Sequence, residues 1–488
     1  MDIVKITSNP EVLHQIDKLK ARIQQPQHAI SDIVDDAGNQ YVDLVMEGGG
    51  MLGIALVGYT WALEQMGIRF LGVGGTSAGS INALLLAALD EPAKPKSLKV
   101  LEELGSQNFY DFVDGGNDVR HLIELALGSD QSFKILRMAW YFVKVKTRLC
   151  SNYGLNKGDA FLEWISGLLD DAGIRTLADL DERLAMTPAG LRRSDNTPFV
   201  NNIVPKGGLV IVTADVTTET RVEFPRMASL YWRDPQTVSP SYFARASMSI
   251  PFFFEPFRVQ NVPKDKNAKE DWDRHAGYDV EEDPTAIIPD TAMFVDGGIM
   301  SNFPIDAFHQ TNRVPSRPTF GVKLEYDERY HGPKDLPIPA AGHLKNLLPL
   351  AKTIFNSARH TLDYEFIKKH PDYQHLVQYI PCTYKDSKTG KSCSYNWIDF
   401  NMSEEHKAGL FIQGAQKAIE FIDNFSGPVS NEGKPVDNKN PKAFESKWSY
   451  YKVLRQQLMG VSNFNMQKVT PNKKSEYDLH EQDEYQTS

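Results

Sequence analysis

Phe70-Leu71-Gly72-Val73-Gly74-Gly75-Thr76-Ser77-Ala78-Gly79-Ser80-Ile81-Asn82-Ala83-Leu84 is the stretch on which the reading of this chain turns. A short apolar run enters it and a helical apolar run leaves it. Between them stands Gly75-Thr76-Ser77-Ala78-Gly79, a G-x-S-x-G pattern. In that pattern a strand ends in a sharp turn, exposes a serine and passes straight into a helix. A serine so placed has free backbone N–H groups and the positive end of the helix dipole beside it, and both favour the oxyanion of acyl transfer. Five residues are also short enough to match by accident, so the neighbouring sequence has to decide.

Upstream, Tyr41-Val42-Asp43-Leu44-Val45-Met46 is a buried-strand pattern that runs into Glu47-Gly48-Gly49-Gly50-Met51-Leu52-Gly53. Ile54 to Met66 reads as a helix stopped by Gly67, and Ile68 to Gly74 as a second strand ending in the elbow. Strand, glycine loop, helix, strand, elbow, helix is a βαβ unit, and its parallel strands bring both loops to one carboxyl edge of the sheet. There the loop can offer its N–H groups to a carbonyl held by Ser77. A dinucleotide fingerprint is the competing reading of the loop, but it requires an acidic residue about 20 positions on, where this chain has the serine elbow. Far downstream, the apolar Ala292-Met293-Phe294-Val295 delivers Asp296-Gly297-Gly298. An Asp at a strand end, released by two glycines, points a carboxylate into the same crevice; an ordinary Asp-Gly turn is the alternative.

Glycine loop, elbow and Asp-Gly-Gly, in this order, resemble the patatin-like phospholipases, a likeness that extends over residues 41 to 425 and includes Ala244-Arg245-Ala246-Ser247 and Ile250-Pro251. The resemblance implies an α/β chain with a three-layer α/β/α fold and a mostly parallel central sheet. It implies a Ser-Asp dyad, with Ser77 as nucleophile, Asp296 as general base and the amides of Gly48, Gly49 and Gly50 as oxyanion hole. Gly53, Gly75, Gly79, Gly297 and Gly298 complete the motifs. The implied reaction is hydrolysis of fatty-acyl esters in membrane phospholipids, without metal or organic cofactor. A lone carboxylate is a weak base for a hydroxyl, so such a pair needs a dry crevice that strengthens their hydrogen bond. One residue departs from the family pattern: Leu52 stands where a basic residue is usual. Hole donors in other hydrolases contribute about 2.7 to 4 kcal/mol each, so losing a supporting charge lowers the rate without abolishing it. Two further readings stay open. A Ser-Asp-His esterase of the α/β-hydrolase type would draw on His309, His331, His343 or His360; a non-catalytic lipid-binding module would explain Leu52.

Composition limits the partners. The 488 residues have 41% hydrophobic content and a formal net charge of -10, which argues against nucleic acid. Three cysteines, Cys150, Cys382 and Cys393, are too few for a disulfide framework or a zinc site. The N-terminus lacks a signal-peptide pattern and no apolar run reaches about 18 residues, so the expectation is a cytoplasmic or membrane-peripheral protein. Phe133 to Leu149 is the candidate membrane contact, because Lys134, Arg137, Lys144, Lys146 and Arg148 alternate with aromatic and aliphatic residues and no acid interrupts them. No activating partner is named by the sequence. The expected organisation is an N-terminal helical extension over 1–40, the phospholipase domain over 41–425 and a polar tail over 426–488 with one aromatic helix, its end from about 466 disordered. Residues 92–207 read as mostly helical, 261–290 as a surface loop, Asp215 as a turn residue, and Leu344 to Lys369 as a helix between strands at Thr319–Glu325 and Leu376–Ile380. Ser403 reads as the cap of a last long helix.

Overall fold

A computed structural model describes residues 2–127, 149–199, 202–277, 288–309, 313–324, 368–387, 389–430, 432–436 and 444–469, with isolated positions 144, 146, 147 and 366 between them. The basic stretch Phe133 to Leu149 falls mostly outside these, as do His331, His343, His360 and nearly all of the helix expected over 344–369.

Asn9 caps the first long helix, α1 (Pro10–Ile23), by accepting from the amides of Glu11 and Val12, and the helix buries Ile16, Leu19 and Ile23. Strand β1 (Gln40–Met46) is buried at every position, as a central parallel strand should be. Helix α2 (Gly53–Gln65) is apolar on all sides and buried from Gly53 to Glu64, so it is a core helix rather than a surface one. Strand β2 (Ile68–Thr76) is equally buried and leads through Ser77 into α3 (Ala78–Ala88). Further along come α4 (Asp159–Asp171), β3 (Gly208–Asp215), β4 (Thr220–Phe224), α5 (Ser241–Ser247), β5 (Phe257–Gln260), α6 (Lys266–Ala276) and β6 (Thr291–Asp296). Strands β7 (Thr319–Leu324) and β8 (Val377–Ile380) and helices α7 (Glu404–Phe425) and α8 (Lys447–Val469) complete the set used here.

The sheet runs β8-β7-β1-β2-β3 with every neighbour parallel, and β4, β5 and β6 join antiparallel at the far side. Helices pack on this largely parallel sheet in the three-layer α/β/α arrangement. Helix α7, capped by Ser403 as expected, lies along α2 with Phe411 on Trp61 at 5.4 Å and reaches the sheet where Phe421 and Phe425 meet Phe320.

One expectation needs correction. Within 261–290 the chain forms α6, capped by Asp265, with Ala268 and Trp272 buried and the indole edge-on to Tyr231 at 5.6 Å. Two apolar residues four apart suffice to seat the helix, although they are too sparse to show as a period. The described part of 92–207 is mostly helical as expected, with short strands at Gly154–Asn156 and Arg192–Arg193 between the helices. The C-terminal segment is also less separate than its polar composition suggests. Trp448 and Tyr451 of α8 join the main core, Trp448 Nε1 and Lys452 Nζ each donate to Asp32 at 2.8 Å, and Arg455 pairs with the buried Asp372 at 3.4 Å. Helix α8 runs to Val469, past the expected break at 466.

Candidate active site

The pairing of β3 decides where the site lies. One of its edges carries β4, from Ile211 to Asp215. The other edge carries β2 over Gly208–Val212 and then β6 over Thr213–Asp215. Since a strand residue has only two edges, β2 and β6 must share one and run toward each other from opposite ends. They meet where Thr76 faces Val212 and Asp296 faces Thr213. Adjacent strand residues are about 3.4 Å apart, so Ser77, the residue after Thr76, and Asp296 stand side by side at the ends of their strands.

At this junction Ser77 has φ 52 and ψ -122, a left-handed conformation that costs a non-glycine residue about 1–3 kcal/mol and is found mainly at functional sites. Surrounding bonds hold it there. Ser77 N–H donates to Ser247 Oγ at 2.9 Å, while Ser77 C=O accepts from the amides of Ser80 and Ile81 and from Ser80 Oγ. Ser77 is 5% exposed and Asp296 6%. Asp296 is fixed at both ends, its carboxylate accepting from Gly298 N–H at 2.8 Å and its own N–H donating to Ser249 C=O at 2.8 Å.

The glycine loop lies against the serine. A Cβ built on Gly48 would come within 3.0 Å of Ser77 Cβ and of Thr76 O, so only glycine fits there. Gly48 N–H donates to Asn302 C=O at 3.0 Å, and Asn302 Nδ2 returns a bond to Gly48 C=O at 3.1 Å. Next, Gly50 takes φ +53, and Met51 N–H is pinned on Trp397 C=O at 2.9 Å. Among the described residues the amides of Gly49 and Gly50 donate to no protein group. Gly53 and Gly79 keep the loop and the elbow close: a Cβ on Gly53 would reach Ala78 Cβ at 2.8 Å, and one on Gly79 would strike Met46 C=O. Gly75 packs against Gly79, and Gly297 against Val212 C=O.

Leu52 is completely buried and its N–H closes a turn on Gly49 C=O at 3.1 Å. At the start of the loop the buried Glu47 pairs with the partly buried Lys323, Nζ 3.2 Å from Oε1, and Glu47 Oε2 also accepts from Leu324 N–H at 2.6 Å. Asp215 is the turn residue expected, accepting from Thr217 N–H, Thr218 Oγ1 and Tyr231 Oη. His309 sits elsewhere. Its ring bonds Tyr373 Oη at 2.6 Å and packs on His370 and Phe366, and the preceding Phe308 lies against Gly72 and Gly74, midway along β2. Burial and the neighbouring His370 push its pKa down to about 4. No cluster of histidine, cysteine and carboxylate residues able to hold a metal exists among the described residues.

Sequence reasoning did not assign roles to Ser247, Ser249, Arg245 or Asn302. Arg245 and Ser247 lie in the Ala-Arg-Ala-Ser segment that it did single out and Ser249 between that segment and Ile250-Pro251, whereas Asn302 had no signal beyond following Asp-Gly-Gly. Arg245 is 4% exposed and donates to Ser249 Oγ at 2.6 Å, to Glu255 C=O at 2.9 Å and to Lys157 C=O. Burial lowers its pKa to about 10.

A model of the patatin-like phospholipase family matches residues 44–309, from β1 through Asp296. The uncharacterized protein YqhO of Bacillus subtilis is 28% identical over 382 residues, covering 78% of this chain and 98% of its own length. Among solved structures, VipD from Legionella pneumophila aligns over 81% of this chain and 70% of its own, at 14% identity and a TM-score of 0.34. The ExoU-SpcU complex of the Pseudomonas aeruginosa type III secretion system aligns over 88% of this chain and 60% of its own, at 16% identity and a TM-score of 0.31.

Proposed function

Because this chain belongs to the patatin-like phospholipases, a family of lipid hydrolases, we propose that it cleaves fatty-acyl esters of membrane phospholipids, with Ser77 as nucleophile and Asp296 as base. The observation that carries the reading is the junction on β3, where a strained, buried serine and a fixed carboxylate arrive side by side under a glycine loop. Asp296 takes the Ser77 proton as Oγ bonds to the ester carbonyl carbon. The tetrahedral oxyanion is held by the amides of Gly49 and Gly50, while Gly48, bonded to Asn302, fixes the loop that carries them. Collapse breaks the ester C–O bond, and the proton on Asp296 passes to the departing alcohol oxygen. A water, deprotonated by Asp296, then attacks the acyl-enzyme; the fatty acid leaves and Ser77 recovers its proton.

The catalytic unit in this proposal is residues 41–425. Its membrane contact is the acid-free basic stretch Phe133 to Leu149, proposed on sequence alone. Among the described residues no helix is long and apolar enough to cross a membrane. The engagement of His309 with Tyr373 Oη and its packing on His370 and Phe366 disfavour it as a third member of a triad.

Mass spectrometry of mixed phospholipids incubated with wild type, Ser77→Ala and Asp296→Asn tests the reading, alongside a fluorophosphonate probe for the serine. Lysophospholipid and fatty acid from wild type alone, with the probe on Ser77, is the expected result. Equal product from all three refutes both assignments, and no Ser77 adduct together with no product points to a lipid-binding module.

A further inference from the structure

Ser247 is the last residue of α5 and fully buried, and its hydroxyl does two things at once. It accepts from Ser77 N–H at 2.9 Å and donates to Val212 C=O at 2.6 Å. Val212 is the β3 residue opposite Thr76, the last residue of β2. The hydroxyl therefore stands where the next rung of the β2–β3 ladder would form, between the amide and the carbonyl. We propose that Ser247 is a positioning residue that prises the chain off β3 at this rung, holds Ser77 in its strained conformation and keeps the Ser77 amide turned away from the substrate oxygen.

Two features make this more than a satisfied hydrogen bond. Ser247 is rigidly placed, because Phe243 of the same helix stacks on Phe224 of β4 with ring centroids 4.7 Å apart. The same segment also registers the base: Ser249 C=O accepts from Asp296 N–H at 2.8 Å, and Arg245 bonds Ser249 Oγ at 2.6 Å. One short stretch, Arg245 to Ser249, thus sets the backbone of both the nucleophile and its base. Without the hydroxyl, Ser77 N–H and Val212 C=O are left facing each other and can close the missing rung directly, which draws Ser77 back toward extended backbone and moves Oγ.

This inference rests on the dyad proposed above. Its test compares wild type, Ser247→Ala and Ser247→Thr by kcat and KM on a soluble p-nitrophenyl ester, by the rate of fluorophosphonate labelling of Ser77, and by crystal structures of wild type and Ser247→Ala. A misplacement near 1 Å at a reacting atom lowers rates about 100-fold, so Ser247→Ala is expected to lose about that in kcat and in labelling, with KM little changed. Ser247→Thr, which keeps a hydroxyl, recovers most of both. In the alanine crystal Ser77 leaves the left-handed region. An alanine variant with unchanged Ser77 backbone, a kcat within about twofold of wild type, or a threonine variant no better than alanine overturns the proposal. Wild type that neither labels nor hydrolyses refutes the dyad instead, and the two crystal structures then still decide whether Ser247 sets the Ser77 backbone.

Discussion

Replacing Gly50 with alanine separates a damaged oxyanion hole from a merely less stable protein. Gly50 has φ +53, and a Cβ there would strike the Trp397 carbonyl, the same group that receives Met51 N–H at 2.9 Å. A left-handed alanine costs about 1–2 kcal/mol, and overpacking against a backbone atom adds about 1–3 kcal/mol. The loop can relieve both by moving off Trp397, which carries the Gly49 and Gly50 amides away from the substrate oxygen. Losing one hole donor costs about 2.7–4 kcal/mol in the transition state, or about 100- to 1,000-fold in kcat, while KM changes little because the donor serves mainly the oxyanion. Leu410→Ala is the control: a fully buried leucine on α7, beside the Phe411–Trp61 contact, whose truncation costs about 2–5 kcal/mol of stability far from the loop. Both variants are assayed on a soluble p-nitrophenyl ester well below their melting temperatures. Gly50→Ala is expected to lose kcat as stated, and Leu410→Ala to keep it. Equal losses in the two, or a Gly50→Ala kcat within about tenfold of wild type, refute the assignment of the loop amides.

Two predictions concern the frame around the site. Arg455→Met removes the cation paired with the fully buried Asp372 and should lower stability by about 3–5 kcal/mol in calorimetry; adding Asp372→Leu should restore much of it. His309 has a folded pKa depressed to about 4, so above pH 6.5 it is neutral in both states and stability is intact. As pH falls from 6.5 toward 4 the unfolded chain binds the proton first, and stability is lost across that window. Melting temperatures of His309→Gln should therefore decline less steeply with acid than those of wild type, and parallel curves would exclude the effect.

The βαβ unit, the elbow and Asp296 were legible because each is local: a few residues whose glycines and apolar runs fix one turn or strand end. What escaped is non-local or sparse. That β2 and β6 share an edge of β3 depends on partners far apart in sequence, as does the bond from Thr76 Oγ1 to Ser301 C=O across 225 positions. A serine at the end of a short helix has no pattern that tells it from any other, so Ser247 could be noticed only as part of a segment. Helix α8 was legible from its aromatic residues, but its docking was not: Trp448 and Tyr451 tie it to the main core, and Lys452 and Arg455 bind Asp32 and Asp372 far upstream.

Leu52 raised the question of how an oxyanion is held without the usual cation. The structure turns the side chain into the core, so the residue at 52 supports the loop by packing. Beside the loop, Lys323 is paired with Glu47, and a paired cation offers little net field to a developing negative charge. What remains are neutral dipoles: the Gly49 and Gly50 amides and the positive end of the α3 dipole. Fixed dipoles in a water-excluded site stabilise charge without reorganising. Their effect therefore depends on placement to a fraction of an ångström, and the hydrogen bonds of Asn302, Trp397 and Ser247 supply that placement. A site built this way should tolerate the loss of a charge more readily than the loss of a backbone anchor.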